Sequence, residues 1–397
     1  MKAPRLLVVS HPCEVDVNRA VYRLLSRKYG VDLHLVIPVY ARDRDACAPI
    51  DREPFRATIL DLQGPHARLD RAPGLTDIIR REKPTHILVD AEAASMIVRD
   101  VGDAAEAVGS RVWVLSTENR TRHFIREGAA GLVQGRPALA VGGLLAWWLL
   151  RSARRRLDRV FTICDDGSAA MAHLGFAGRI TKIPLGFDPE LFYRQPPEAI
   201  GATRLRLGLQ TRTLAYFGRL LPGKGVHLLI EALATMTDVP WTLLMDRFSV
   251  SYSPYESPYQ AEVNALITRR GLRDRIVHFE ATHREIADYM NAADLVVLPS
   301  LVTPTFKEQY GRVIPEAMAC GAVVLASTSG ALPELIGDAG FVFPAGDLAA
   351  LTARLRELLT ADAAGLEPVR RRAETRARGQ FSIATQAEIL YQHLSAA

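Results

Sequence analysis

From residue 5 to residue 327 the chain alternates short, β-rich apolar runs with stretches of helical periodicity, and this alternation limits the folds open to it more than any other feature. The first half carries RLLVVS (5–10), a helical stretch (17–29), VDLHLVIPV (31–39), ATILDL (57–62) and HILVDA (86–91). A helical stretch (93–108), RVWVLS (111–116), RVFTIC (159–164) and RITKIP (179–184) follow. Several runs are apolar throughout, as strands covered on both faces must be, and strands separated by helices close into a parallel, doubly wound sheet. Residues 184–199, PLGFDPELFYRQPPEA, then break the pattern with four prolines, a composition that continues neither a helix nor a central strand. A second series begins beyond them: TLAYFG (213–218), WTLLM (241–245), RIVHF (275–279), DLVVLPS (294–300) and AVVLAS (322–327).

At 397 residues, 48% apolar and 23% charged, the chain exceeds what one core serves, since single cores stop growing near ~250 residues. The expected division is a first α/β domain at 1–190, a second at 191–375, and a helical tail at 376–397 that packs back on the first. A formal charge of +5 and a pI near 9.1 suit an anionic small molecule or lipid surface and are too modest to point to nucleic acid. Cys13, Cys47, Cys164 and Cys320 lie far apart with no C-x-x-C pair, which argues against zinc knuckles and a disulfide framework and suggests a reducing cytoplasm. The opening apolar run, Leu6 to Val9, reads as a buried strand rather than the core of a signal peptide.

The chemistry concentrates in the second half. After TLAYFG comes GRLLPGKG, 218–225, opening the helical run HLLIEALA; its glycines let a backbone approach a ligand, and Arg219 and Lys224 add cations. It is no Walker loop, because Lys224 is followed by Gly225 and not by a hydroxyl for magnesium. The bland alternative is a surface turn with two solvated cations. In KEQYGRVIPEAMACG, Glu308 and Glu316 stand eight positions apart with Gly311 between them. Pro315 is tolerated only in a first turn, so a helix starts near Arg312, with Glu308 in the preceding loop and the amides of Gly311 to Val313 turned outward to favour an anion. A diphosphate carries about two charges, which Arg219, Lys224 and such a terminus can hold without metal. Two carboxylates beside it repel it unless they face sugar hydroxyls.

GRLLPGKG followed by E-x7-E and EAMACGAVVLAS closely resembles glycosyltransferase family 4, over about 211–347 and only diffusely before that. The resemblance implies the GT-B fold, two Rossmann-like doubly wound α/β domains facing an interdomain cleft. It implies a retaining, metal-independent transferase of hexosyl type, with no cofactor and a nucleoside diphosphate sugar as co-substrate. Arg219, Lys224 and Glu308 then act in catalysis, with Gly218, Tyr310, Gly311, Arg312 and Val313 around the donor. Glu316 meets the ribose, and His278, Phe279 and Glu280 border the base. The base, the sugar and the acceptor are left open; the acceptor is a glycan, a lipid-linked sugar or a small molecule carrying a hydroxyl.

Acceptor contacts are expected beyond strand ends of the first domain: His11 and Asn18, Glu92, then Glu118, Asn119, Arg122 and His123. The glycine pair common in the family after the first strand is replaced here by SHPCEVDVN. Asp43-Arg44-Asp45 matches D-x-D, a metal–diphosphate motif, without the context of that motif, and reads as surface charge. Residues 137–159 join Trp147 and Trp148 to Arg151, Arg154, Arg155, Arg156 and Arg159; the run is too short to span a bilayer, leaving either interfacial docking on the inner membrane face or an ordinary crossover helix. The competing functions are a GT-B sugar-nucleotide epimerase or phosphorylase and a non-catalytic nucleotide-sugar binder. A dinucleotide-dependent dehydrogenase ranks last, because no G-x-G-x-x-G follows the first strand.

Overall fold

The computed structural model describes residues 4–65, 68–247, 256–282 and 285–396. His283 and Arg284, within the 211–347 stretch that carries the family resemblance, lie outside them. The chain forms two compact units, 1–186 with 383–397, and 187–382. The borders expected from sequence, at 190 and 375, fall a few residues from these junctions.

In the first unit, β1 (Arg5–Ser10), β2 (Asp32–Val39), β3 (Arg56–Asp61), β4 (His86–Asp90), β5 (Arg111–Ser116), β6 (Arg159–Thr162) and β7 (Ile180–Lys182) form one parallel sheet in the order β3-β2-β1-β4-β5-β6-β7. β1 is buried from Leu6 to Ser10, which is why its sequence shows no polar alternation. The order reverses direction beside β1, and in open α/β sheets ligands bind beyond the carboxyl ends of the strands at that switch. The last helix, Ile383–Ser395, completes this unit against the helix Ala20–Tyr29, where Tyr391 stacks on Tyr29 at 4.4 Å. Its His393 sits edge-on to Phe161 at 5.5 Å.

The second unit repeats the plan with β8 (Arg212–Tyr216), β9 (Trp241–Asp246), β10 (Ile276–Phe279), β11 (Leu295–Leu298), β12 (Val323–Ser327) and β13 (Phe341–Phe343), ordered β10-β9-β8-β11-β12-β13. Here the switch lies between β8 and β11. β13 is absent from the sequence reading: it is three residues long, at the sheet edge, and enclosed by Gly340 and Pro344, so no apolar run announces it. The proline-rich 184–199 stretch is anchored rather than loose. Phe187 and Phe192 are fully buried, the Gln195 amide donates to Asn291 Oδ1 at 2.8 Å, and Arg194 pairs with Glu367 at 2.9 Å.

Candidate functional site

In the second unit the loops leaving β8, β11 and β12 converge. The Tyr216 hydroxyl donates to the Arg219 carbonyl at 2.7 Å, and a short turn, Pro222–Lys224, is tied to the β11 loop by the Leu301 amide donating to the Gly223 carbonyl at 2.8 Å. That tie brings Lys224 Nζ to 2.7 Å from Glu308 Oε1. Glu308 is buried and held on all sides: Ser300 donates to the same oxygen at 2.5 Å, and its own amide donates to Ser329 Oγ at 3.1 Å. Ser329 donates onward to the Leu301 carbonyl at 2.8 Å, and Ser327 to the Ser300 carbonyl. Gly330 passes so close that a Cβ there would lie 1.9 Å from the Glu308 carbonyl oxygen. Arg219 and Gly218 are exposed beside this cluster, and the Lys224 ammonium lies 5.8 Å from the Phe306 ring.

The helix Val313–Ala319 begins one residue after Arg312, with Pro315 in its first turn. The Ile314 amide donates to the Gly311 carbonyl at 2.9 Å and the Glu316 amide to the Arg312 carbonyl at 3.4 Å, and the positive end of the dipole at this terminus favours an anion. Glu316 is buried in that turn, with Arg312 Nε at 3.8 Å from its carboxylate, and burial pushes its carboxyl from 4.5 up to about 7 despite the attraction of Arg312. The native state therefore binds a proton between pH 4.5 and 7 that the unfolded chain releases, so this residue's contribution to stability declines as pH rises through that window and is flat above it. Glu316→Gln is expected to be more stable than the parent at pH 8, by as much as about 3 kcal/mol, with the gain vanishing below pH 4.5. Urea midpoints at the two pH values check this; an equal gain at both removes the burial argument.

Of the three residues expected near a base, His278 and Glu280 are exposed at the end of β10. Phe279 is not available: its ring is buried, stacked on Tyr289 at 4.5 Å, because β10 alternates its side chains between core and solvent. Tyr310 is buried and Gly311 and Val313 are half-buried at the helix start.

The first unit carries a cavity of about 970 Å³ beyond β1 and β4, lined among others by His11, Tyr40, Arg68, Asp90, Glu92, Arg122, Phe124 and Glu127. The His11 ring donates from Nδ1 to the Pro38 carbonyl at 2.7 Å, which leaves Nε2 as the acceptor in the neutral ring. Its turn is pinned by the fully buried Arg19, which donates to the carbonyls of Cys13 at 2.7 Å and Ala48 at 2.8 Å. Ser10 donates to Asp90 at 2.9 Å and Ser116 to Glu92 at 3.1 Å. Burial pushes Asp90 up to about 6; burial, then the neighbouring Glu118 charge, push Glu92 up to about 7. Two carboxyls raised by burial thus share one cavity with an imidazole.

Three of the sequence candidates, His11, Glu92 and Arg122, meet there, and the others do not line it. Asn18 donates to the Pro12 carbonyl at 2.6 Å as part of the turn, Asn119 is buried, Glu118 accepts from the Arg120 amide at 3.0 Å, and His123 lies against His173. Asp43 and Asp45 sit in the short turn Ala41–Ala46, where Arg44 pairs with Asp61 at 2.6 Å, and among the described residues no group of three metal-ligating side chains occurs. Sequence reasoning passed over Asp90, Ser300 and Ser327, each at or just beyond a strand end, where the strand-end rule would have found them. Arg68 and Glu127 carried no such signal.

Residues 211–361, within the second unit, match the family described as "Glycosyl transferases group 1". The D-inositol 3-phosphate glycosyltransferase of Mycobacterium sp. (strain KMS) is 33% identical over 171 residues, 42% of this chain and 36% of that protein. The alignment thus spans about a third of that relative's length. The Anabaena protein HepE, solved in complex with UDP and glucose, superposes with a TM-score of 0.74 at 20% identity, covering 99% of this chain and 100% of that one. Sucrose-phosphate synthase from Thermosynechococcus elongatus gives 0.72 at 19% identity, covering 99% of each chain. The fold is GT-B, with parallel sheets of seven and six strands.

Proposed function

We propose that the chain is a retaining glycosyltransferase that moves a sugar, of hexosyl type, from a nucleoside diphosphate sugar to a hydroxyl acceptor without metal. The observation that carries this reading is the Lys224–Glu308 contact, a cation and a buried carboxylate fixed 2.7 Å apart at the switch point of the second sheet. Arg219, Lys224 and the first amides of the helix Val313–Ala319 take the diphosphate. Arg219, Lys224 and the helix start together supply the positive field for the anion. Glu308 meets hydroxyls of the donor sugar, Glu316 those of the ribose, and His278 and Glu280 lie toward the base.

In this reading the acceptor oxygen attacks the anomeric carbon on the face from which the diphosphate leaves. The carbon–phosphate-oxygen bond breaks as the new carbon–oxygen bond forms, and the acceptor proton passes to a departing phosphate oxygen. Arg219 and Lys224 stabilise the charge that develops there, a term that commonly dominates such catalysis. The first-unit cavity receives the acceptor, with His11, Asp90 and Glu92 offering acceptors and donors to its hydroxyls.

Calorimetric titration with uridine, guanosine and adenosine diphosphates in the presence of chelator is expected to give saturable binding of one of them. No binding, or binding only after metal is restored, overturns the donor assignment. Retention is read from the anomeric coupling of the product; inversion overturns the mechanism and leaves the donor site intact.

A further inference from the structure

The helices Phe124–Val133 and Pro137–Arg156 pack on each other as a hairpin across a three-residue connection. Their backbones approach closely, since a Cβ on Gly143 would lie 2.4 Å from the Phe124 carbonyl oxygen. In the longer helix Ala140, Gly143, Ala146, Leu149, Leu150 and Ala153 face inward. The opposite stripe runs Val141, Leu144, Trp148 at helical spacing, exposed by 66%, 62% and 41%, and continues into Arg151 and Arg155. The shorter helix adds exposed Ile125, Leu132 and Val133, the last exposed by 90%. Single exposed apolar residues are ordinary, but seven of the thirteen large exposed ones among the described residues fall within this hairpin, and apart from Leu139, which lines the first-unit cavity, this concentration calls for a partner.

Charge identifies that partner. Between Arg122 and Arg156 there are seven arginines and one acidic residue, Glu127, which is already bonded to Arg122 at 2.7 Å. A second copy of the same face would meet like charge, whereas an anionic bilayer supplies both apolar depth and negative headgroups. Arg136 precedes the apolar stripe and Arg151 follows it, roughly 22 Å apart along a helix rising 1.5 Å per residue, so basic residues bracket the stripe as in an element lying in the interface. The Arg99 guanidinium lies 4.1 Å from the Trp148 ring, setting an aromatic and a cation at one depth. No described helix is long and apolar enough to cross a membrane.

We propose that the hairpin 124–156 docks the protein on anionic lipid surfaces through the Val141–Leu144–Trp148 stripe and its flanking arginines. The surface includes part of the 137–159 segment, and the preceding helix adds Ile125, Leu132 and Val133 to it. Phe124, Ala138 and Gly142 of the hairpin also line the first-unit cavity. Docking is independent of the transferase reading.

The test is co-sedimentation of the full chain with phosphatidylcholine vesicles with and without phosphatidylglycerol. The parent is expected to partition at least tenfold more strongly onto the anionic vesicles. A Val141→Asp, Leu144→Asp double variant and an Arg151→Glu, Arg155→Glu double variant should each lose at least tenfold, with unchanged melting curves and unchanged nucleoside diphosphate binding. Failure of the parent to sediment, variants that sediment like the parent, or self-association through this face overturns the proposal. Because the variants are read alongside nucleotide binding, failure here and failure of the donor site remain distinct.

Discussion

Replacing Lys224 by alanine is expected to weaken nucleoside diphosphate binding by about 1.5 to 3 kcal/mol, the usual worth of one charge-assisted hydrogen bond. Transfer should suffer more than binding, with kcat/KM lower by roughly 10² to 10³, because the ammonium is assigned to charge that appears only as the diphosphate leaves. The substitution also strips Glu308 of its cation while leaving that carboxylate buried with Ser300 as a remaining donor. A loss of fold stability therefore accompanies the loss of binding, and the two are separable. Adding Glu308→Gln to Lys224→Ala should recover stability, since the uncompensated charge is gone, without recovering transfer. Calorimetry, urea unfolding and initial rates on the parent, both single variants and the double variant check this. A Lys224→Ala enzyme with unchanged kcat/KM removes Lys224 from the chemistry.

Gly330→Ala should be the most damaging single methyl group in the second unit. The residue has φ +52°, where an L side chain is strained, and its added Cβ would stand 1.9 Å from the Glu308 carbonyl oxygen, a backbone atom that cannot swing aside. Relief requires the 300–311 loop to move away from the β12 end, taking Glu308 from Ser300 and Lys224. We expect a loss of about 2 to 4 kcal/mol in unfolding free energy together with loss of nucleoside diphosphate binding. Gly201→Ala is the control: it lies in the helix Pro197–Arg206 with nothing within 4 Å of its Cβ position, so it should be neutral or stabilising by up to about 1 kcal/mol. Equal stability of the two variants would mean that the β11 and β12 loops are not held together as described.

The parts of this protein that were legible in its sequence are those written in local chemistry. Strands buried on both faces must be apolar along their whole length, so β1, β2, β8 and β12 announced themselves, as did the helices Ala20–Tyr29 and Met96–Val108. Pro315 marked the start of the helix Val313–Ala319 to within a residue, because proline is restricted to a first turn. Lys224, Glu308 and Glu316 were found from glycine punctuation and spacing. β13 was not, being too short and too exposed for its pattern to differ from a loop.

What the sequence by itself determined, then, is the class of fold and the cationic and acidic groups of the second unit, because backbone geometry ties residue type to position over a few neighbours. Only the tertiary structure decided which distant residues meet. The order of the strands places β8 beside β11 and so brings Lys224 to Glu308 across more than eighty positions. It turns Phe279 into the core, and it gathers His11, Asp90 and Glu92 into one cavity while leaving Asn18 to hold a turn and Asn119 buried. The raised carboxyls of Glu92 and Glu316 belong to the same category, since burial is a property of packing around a residue and not of the residue itself. The 124–156 hairpin is a third case: only the packing of its two helices on each other brings their exposed apolar residues into one element.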